Sequence, residues 1–339
     1  MFQVPDITIK DVAKRANVSV ATVSRVLNGL DRVSAETRKK VLKVIEEMNF
    51  VPNTMAASMI TKQTQMLAVV VPAIENPFYT AVIQGTVEVA KREGYYAFVF
   101  STNDKEEEEN LFFEGSLSKM ADGIVLIGAH KEPEFYRGIR KPVVLVDRYI
   151  EGSGLDGVVI DNFRGAYEAT RFLIENNHRS IAIINGPQDF NDGKERFWGF
   201  QQALKDAGLS TNADYLRSGD WFEDNGYEST MQLMRLPNPP TAIFAANNLI
   251  CQGAIKAIRD LDLVIGEDIS LVGFDENELA AFTKPKVAVV KRPTYEMGVH
   301  AADRLLHIIK TKADKTSGPQ KITLGVELLK SGSVKKLKI

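Results

Sequence analysis

The sequence predicts an α/β chain: a small helical head followed by a body of two lobes built on parallel sheets. Three observations carry that reading. Residues 7–28 hold two short helical periods separated by a tight break. From Met66 onward, short apolar runs alternate with helical stretches. At 339 residues, 44% of them hydrophobic, the chain can bury a sizeable core spread over about two or three domains.

In the head, Thr8 can cap a first helix, with Asp11 three residues later to complete a capping box. Val12, Ala13 and Ala16 form its apolar face. Asn17 closes it, because Asn tolerates the left-handed backbone that helix ends need. Ser19 caps a second helix with Val23, Val26 and Leu27 as its apolar stripe. Helix, short turn, helix is the arrangement in which a second helix enters the major groove of DNA. The competing reading is a helical hairpin without a ligand. Against it, the outward residues Val20, Ala21, Thr22, Ser24 and Arg25 are small and polar and end in an arginine, a face that can lie close against base edges.

These residues resemble the helix-turn-helix DNA-binding head of the LacI/GalR family (lactose/galactose repressor family) of bacterial transcriptional regulators. The family pattern T-I-x-D-V-A-x-x-A-x-V-S-x-x-T-V-S-R-V-x-N is matched almost without a break from Thr8 to Asn28. The resemblance implies DNA contacts at Thr8, Ser19, Val20, Ala21, Thr22, Ser24, Arg25 and Asn28. Ser34 caps a third helix running to Met48, in which Val41, Leu42, Ile45 and Met48 are expected to pack against the first two. Arg38, Lys39 and Lys40 either touch backbone phosphates or form a solvated face. This head spans residues 1–50, and residues 51–65 form a hinge and linker. There Pro52 breaks the chain and Asn53 can cap a short helix from Thr54 to Met59. In the family this helix pairs with its dimer mate in the minor groove, which assigns Asn53, Met55, Ala56 and Met59 to DNA. Met59 stands where relatives place a wedging leucine, and Ala57 where many have arginine. A passive linker is the alternative.

Charge agrees with a basic head. Residues 1–62 carry ten Lys/Arg and six Asp/Glu, whereas the rest carry 32 and 38, within a chain of net charge -2. Cys251 is the only cysteine, so no intrachain disulfide framework exists. The first six residues lack the basic and apolar parts of a signal peptide, and no run is apolar for long enough to span a bilayer. The expectation is a soluble, cytoplasmic protein.

In the body, Leu67–Val71 is a continuous apolar run, as in a strand buried on both faces. Next come a helix over Phe78–Arg92, a strand over Tyr95–Phe100 and a helix over Lys105–Met120. Strand Gly123–Ile127, a helix near Pro133 and strand Val143–Val146 complete the first set. A second set runs from Val158–Ile160 through the helix Phe163–Asn176, strand Ile181–Ile184 and helix Lys194–Ala207. Leu216–Gly219, a helix near Tyr227–Met234, strand Ala242–Phe244, helix Leu249–Asp260 and strand Ser270–Phe274 complete it. Two such halves resemble the periplasmic-binding-protein fold, with a ligand cleft between lobes beyond the carboxyl ends of the strands. By that analogy the chain crosses between lobes near Asn162, Lys291 and Lys321. The N-terminal lobe is then 66–161 plus 292–321, and the C-terminal lobe 162–291 plus 322–339. The basic tail from Lys330 to Lys338 is expected to be a solvated end.

Polar and aromatic residues cluster at the strand ends. A sugar needs carboxylates, Asn and Arg for its hydroxyls and a flat aromatic for its C–H faces. The resemblance places Asp147, Arg196, Trp221, Asn247 and Asp275 at effector-holding positions, with Arg148 beside Asp147 and Phe78 and Tyr79 near the cleft mouth. The alternatives are helix caps for Asp147 and Asp275, a lobe-to-lobe salt bridge for Arg196, and plain core for Trp221. Asn248 stands where many relatives have Asp and reads as a cap. Phe190 stands where a purine-responsive member has arginine, which favours a sugar over a purine.

The expected function is a sequence-specific regulator of transcription, a repressor of carbohydrate genes, that binds near-palindromic operator DNA as a homodimer under control of a small sugar. A solute-binding protein is opposed by the attached head. An enzyme is invited by Gly152-Ser-Gly-Leu-Asp-Gly157, which matches G-x-G-x-x-G, but a strand follows where that fingerprint needs a helix. His130, His178, His300 and His307 have no metal spacing, so no metal or cofactor is expected. Glu106–Glu109 reads as a solvated helix start. No membrane contact is expected, and a phosphoprotein co-regulator has no support in the residues.

Overall fold

The computed structural model describes residues 7–27, 32–50, 63–276, 278–311 and 318–338. Contacts divide the chain into two compact units, Met1–Thr64 and Gln65–Ile339. The expected contacts at Asn28, Asn53, Met55, Ala56 and Met59, and the hinge helix itself, lie outside the described residues.

The first unit holds α1 (Ile9–Ala16), α2 (Val20–Leu27) and α3 (Ala35–Glu47). The Asp11 carboxylate accepts from the Thr8 amide at 2.9 Å and the Thr8 hydroxyl at 2.6 Å, which lowers its pKa. Asn17 ends α1 at φ 51°, in the left-handed region. Ser19 Oγ accepts from Thr22 N at 3.1 Å and Ser34 Oγ from Thr37 N at 3.2 Å, so both later helices are capped as their sequences suggest. Val12, Ala16, Val23, Val26, Val41 and Val44 form the buried centre. Leu42 is not part of it. It is 49% exposed, and Val44 takes the inward position on α3.

The second unit contains two six-stranded sheets. The first is built from β1 (Met66–Val71), β2 (Tyr96–Ser101), β3 (Gly123–Leu126), β4 (Val143–Val146) and β5 (Asp156–Ile160), joined by β11 (Lys321–Leu324). Its order is β11-β5-β4-β3-β1-β2, parallel throughout. The second holds β6 (Ile181–Asn185), β7 (Leu216–Ser218), β8 (Ala242–Ala245), β9 (Ser270–Phe274), β10 (Ala288–Lys291) and β12 (Glu327–Leu329). Its order is β12-β10-β9-β8-β6-β7, and only β12 runs antiparallel. The helices of the first set are α4 (Pro77–Arg92), α5 (Glu106–Glu114), α6 (Ser116–Met120) and α7 (Pro133–Arg137). Those of the second are α8 (Asn162–Glu175), α9 (Asn191–Asp206), α10 (Glu223–Met234), α11 (Asn248–Asp260) and α12 (Glu278–Phe282). Then α13 (Thr294–Thr311) returns to pack on α4 and on strands of the first sheet. The two helices α4 and α13 meet closely at that seam. A Cβ on Gly298 would lie 2.1 Å from the Val82 carbonyl oxygen, and one on Gly85 2.2 Å from that of Tyr295, so the two helices touch backbone to backbone.

The strand at 158–160 pairs with β4 and β11 and so lies in the first sheet. Three expectations are corrected. The last crossing is not at Lys321: β11 stays in the first sheet through Leu324, so the chain crosses between Leu324 and Glu327. The helix expected over Lys105–Met120 breaks at Gly115, whose extended backbone separates α5 from α6. The tail is docked: the His178 ring bonds Thr241 Oγ1 at 2.8 Å and the Lys335 carbonyl at 3.1 Å, and Asn177 Nδ2 donates to the Leu337 carbonyl at 2.6 Å.

Glu109 departs furthest from its expected solvation. It is fully buried, accepts from the amides of Ala129 and His130, and leaves Oε1 without a partner. Burial pushes its carboxyl up to about 7. A raised carboxyl favours the folded state fully below its ordinary value, and that contribution is lost as pH rises through about 7. Glu109→Gln keeps an acceptor for the amides and removes the titration. The wild type is therefore expected to lose about 2–3 kcal/mol relative to the variant between pH 5 and 8, read from denaturant midpoints across that range.

Candidate binding sites in the cleft and the head

A cavity, partly open to solvent, lies where the carboxyl ends of the strands of both sheets meet. Asp147 follows β4, Asn247 follows β8, Asp275 follows β9, and Arg292 follows β10. All four line it, together with Phe78 and Tyr79 from α4, Arg196 from α9, and Trp221.

Arg292 joins the lobes at the centre of this cavity. Its Nη1 donates to Asp147 Oδ1 at 2.8 Å, its Nη2 to Asp275 Oδ2 at 2.5 Å, and its Nε to Asp275 Oδ1. Asp147 belongs to the first sheet's loops and Asp275 to the second's. All three side chains are 6% exposed or less. Both aspartates sit at positive φ, 65° and 69°, a backbone that Asp tolerates better than most residues. The guanidinium lies 3.8 Å from the centroid of the Phe78 ring, so it is neutralised at its edge and covered on its face. Burial alone would lower the Arg292 pKa, and Asp275 and Asp147 raise it instead.

Arg148 forms a second cluster behind the wall. It donates to both oxygens of Asp104 and to the Gly128 carbonyl, stands 4.0 Å from Asp192, and lies over the Phe190 ring at 4.5 Å. Burial raises the Asp192 carboxyl, against the pull of Arg148. Burial likewise raises the Tyr79 phenol, so it stays a neutral donor.

Arg196 is packed between aromatics, 4.0 Å from the Phe274 centroid and 5.3 Å from that of Trp221. It gives Nε to Asn162 at 2.9 Å and Nη1 to the Ala246 carbonyl at 2.7 Å. Burial and the nearby Arg292 lower its pKa. Asn247 caps α11 through Ile250 N at 2.7 Å and donates to the Trp221 carbonyl at 2.9 Å, which fixes the tryptophan at the rim. Trp221 Nε1 is buried without an acceptor, a donor that a bound ligand could satisfy. Asn248 Nδ2 donates to Asn76 Oδ1 at 2.8 Å, from the second lobe to the first.

The structure thus brings Phe78, Tyr79, Asp147, Arg196, Trp221, Asn247 and Asp275 to one cavity. Arg148 does not reach it and braces Asp104 and Asp192 instead. Asn247, not Asn248 as expected, caps α11, while Asn248 pairs with Asn76; Asp147 and Asp275 bond to Arg292. Arg196 makes no lobe-to-lobe ion pair among the described residues; its acceptors are neutral. Sequence reasoning missed Arg292, Asp192 and Asp104. Only Arg292 had a signal, an arginine directly before Pro293 at an expected crossing.

In the head, Val20, Ala21 and Arg25 are exposed on one face of α2, with Thr22 and Ser24 half-buried beside them. Ser19 Oγ and Thr22 Oγ1 are 2.8 Å apart, so both hydroxyls are held at the start of that helix.

Residues 8–53 match the family model described as bacterial regulatory proteins, lacI family, and residues 64–331 match that described as periplasmic binding proteins and sugar binding domain of LacI family. The chain belongs to the LacI family. It is 35% identical over 328 residues to the HTH-type transcriptional regulator DegA of Bacillus subtilis, covering 95% of this chain and 96% of the relative. Among solved structures it is similar to a complex of the transcriptional regulator CelR with cellobiose, at 30% identity and TM-score 0.73, covering 96% of this chain and 99% of the other. It is also similar to the Lac repressor dimer bound to operator and the anti-inducer ONPF, at 25% identity and TM-score 0.84, covering 97% and 99%. This LacI-family chain is therefore a helix-turn-helix transcriptional regulator, and members of the family are regulators rather than enzymes.

The members of the cleft's ion cluster should depend strongly on one another. Arg292→Met leaves two buried carboxylates without a counterion and is expected to cost about 3–5 kcal/mol. Adding Asp147→Asn and Asp275→Asn should return much of that loss. Urea denaturation of the three proteins at pH 7 measures both effects.

Proposed function

We propose that this regulator acts in the cytoplasm as a homodimeric repressor of carbohydrate genes, reads a near-palindromic operator through α2, and changes its DNA affinity when a small sugar binds in the cleft. The observation that carries the effector half is the cavity lined by Asp147, Asp275, Arg196 and Trp221. It offers acceptor-only carboxylates, a guanidinium and a flat aromatic, the mixture that hydroxyls and C–H faces need. The relative CelR is seen with cellobiose, which supports the same class of ligand. The DNA half is supported by the exposed face of Val20, Ala21 and Arg25. Sugar and DNA act on each other through linkage, so each changes the affinity of the other by one factor.

A second copy is the proposed partner of the outer edge of the first sheet. Strand β2 lies at that edge, and none of its residues is buried, with Tyr96 73% and Val99 40% exposed. The Lac repressor is seen as a dimer on operator. Tyr96→Glu combined with Val99→Glu should shift the regulator towards monomer in sedimentation and weaken binding to a two-half-site duplex.

The testing experiment selects duplexes from a near-palindromic pool and measures their affinity at fixed salt with and without a panel of sugars. One sugar is expected to release or tighten the selected duplex. Arg25→Ala should weaken that duplex by about 1–3 kcal/mol if the arginine reads a base. If no duplex is preferred over random DNA, the operator reading falls; if no sugar changes the affinity, the effector reading falls.

A further inference from the structure

Charge around the cavity decides what kind of polyhydroxylated ligand it takes. Five carboxylates line it, from Glu75, Asp104, Asp147, Asp192 and Asp275, against the two guanidiniums of Arg196 and Arg292. The cations here already have partners. Arg292 is held by Asp275 and Asp147, and Arg148, behind the wall, by Asp104 and Asp192. Arg196 bonds neutral acceptors, so it is the one lining guanidinium without a carboxylate partner among the described residues. Counting Arg148, three guanidiniums stand against five carboxylates, so a phosphate would meet a net charge of its own sign.

Helix N-termini would ordinarily offset this, because their free amides attract anions. Three helices start at the cavity, and side chains already bond several of their first-turn amides. Asn76 Oδ1 takes Phe78 N at 3.0 Å, Asp192 Oδ1 takes Gly193 N at 2.8 Å, and Asn247 Oδ1 takes Ile250 N at 2.7 Å. The Asn248 Oδ1 takes Leu249 N at 3.0 Å. These side chains occupy the donors with neutral amides and with Asp192, a carboxylate already among the five.

We propose that the cleft selects an uncharged polyhydroxylated ligand and rejects its phosphorylated and carboxylated counterparts, with Asp147 and Asp275 as the hydroxyl acceptors and Arg292 as their counterion. The inference rests on the cleft being the effector site. Each aspartate offers acceptor positions only, which suits paired hydroxyls. Arg292 bridges the two carboxylates across the lobes, and a ligand hydroxyl inserts beside it without bringing in a new charge.

Calorimetric titration of the full chain tests this with matched pairs. Glucose is set against glucose 6-phosphate and glucuronate, galactose against galactose 1-phosphate, ribose against ribose 5-phosphate, and cellobiose against cellobiose 6-phosphate, with adenosine and adenosine monophosphate as a nucleoside control pair. The expected result is a neutral binder whose anionic counterpart is at least a hundredfold weaker. A sugar phosphate or acid that binds as tightly as its parent, or tighter, overturns the charge rule and leaves the carbohydrate reading standing. Binding of the nucleoside alone, with its monophosphate rejected, upholds the charge rule and overturns the carbohydrate reading. No binding by any member overturns both. In Arg292→Met, checked for folding by circular dichroism, the uncompensated carboxylates should raise the affinity ratio of the 2-amino sugar to its parent at least tenfold. An unchanged ratio in the folded variant removes Asp147 and Asp275 as ligand acceptors.

Discussion

Arg292 sits between two aspartates that belong to different lobes, and much of the body's geometry follows from that contact. The guanidinium reaches Asp147 and Asp275 because β10 ends at Lys291 and the chain turns there towards α13. Taking three charged groups out of water is expensive, and only good geometry with several hydrogen bonds offsets the cost. Here three hydrogen bonds and the Phe78 face supply that geometry. The left-handed backbone at both aspartates is held by the same cluster. Removing one member therefore disturbs charge and backbone together.

The cluster also explains why a ligand cavity and a lobe contact occupy one place. Apolar packing between lobes would be hard to reopen, since burial of apolar surface is non-directional and grows with area. A polar contact can be exchanged. Hydroxyls can take over acceptor positions on Asp147 and Asp275, and the Asn76–Asn248 amide pair can exchange partners in the same way. The contacts that hold the cleft are thus of the kind that hydroxyls can replace. A ligand that replaces them differently in two lobe arrangements shifts the population between those arrangements.

Much of this was legible in the sequence, for reasons that differ by element. Strands buried on both faces, such as β1 and β4, show as unbroken apolar runs, and their helices follow from period and caps. The cleft aspartates and Asn247 were readable because ligands sit at strand ends in such sheets. What escaped was set by residues far away in sequence. Glu109 sits in a run of four glutamates and is buried only because the loop at Ala129 and His130 closes over it. Leu42 is apolar yet exposed, because the packing of α3 on α1 and α2 chose Val41 and Val44. The last crossing was misplaced because β11 is half-exposed and alternates, so no apolar run marks which sheet receives it.

The segregation of charge gives the two halves of the molecule separate tasks. The first 62 residues carry an excess of lysine and arginine, while the rest carries an excess of acid, part of it concentrated in the cleft. DNA is a polyanion with its own counterion atmosphere, so an acidic body is repelled by it and a basic head is drawn to it. Non-specific attraction is thereby confined to the surface that also reads bases. The same sign of charge that keeps the body off DNA keeps phosphorylated metabolites out of the cleft. One electrostatic bias thus shapes both the place where the regulator meets nucleic acid and the class of small molecule that it senses.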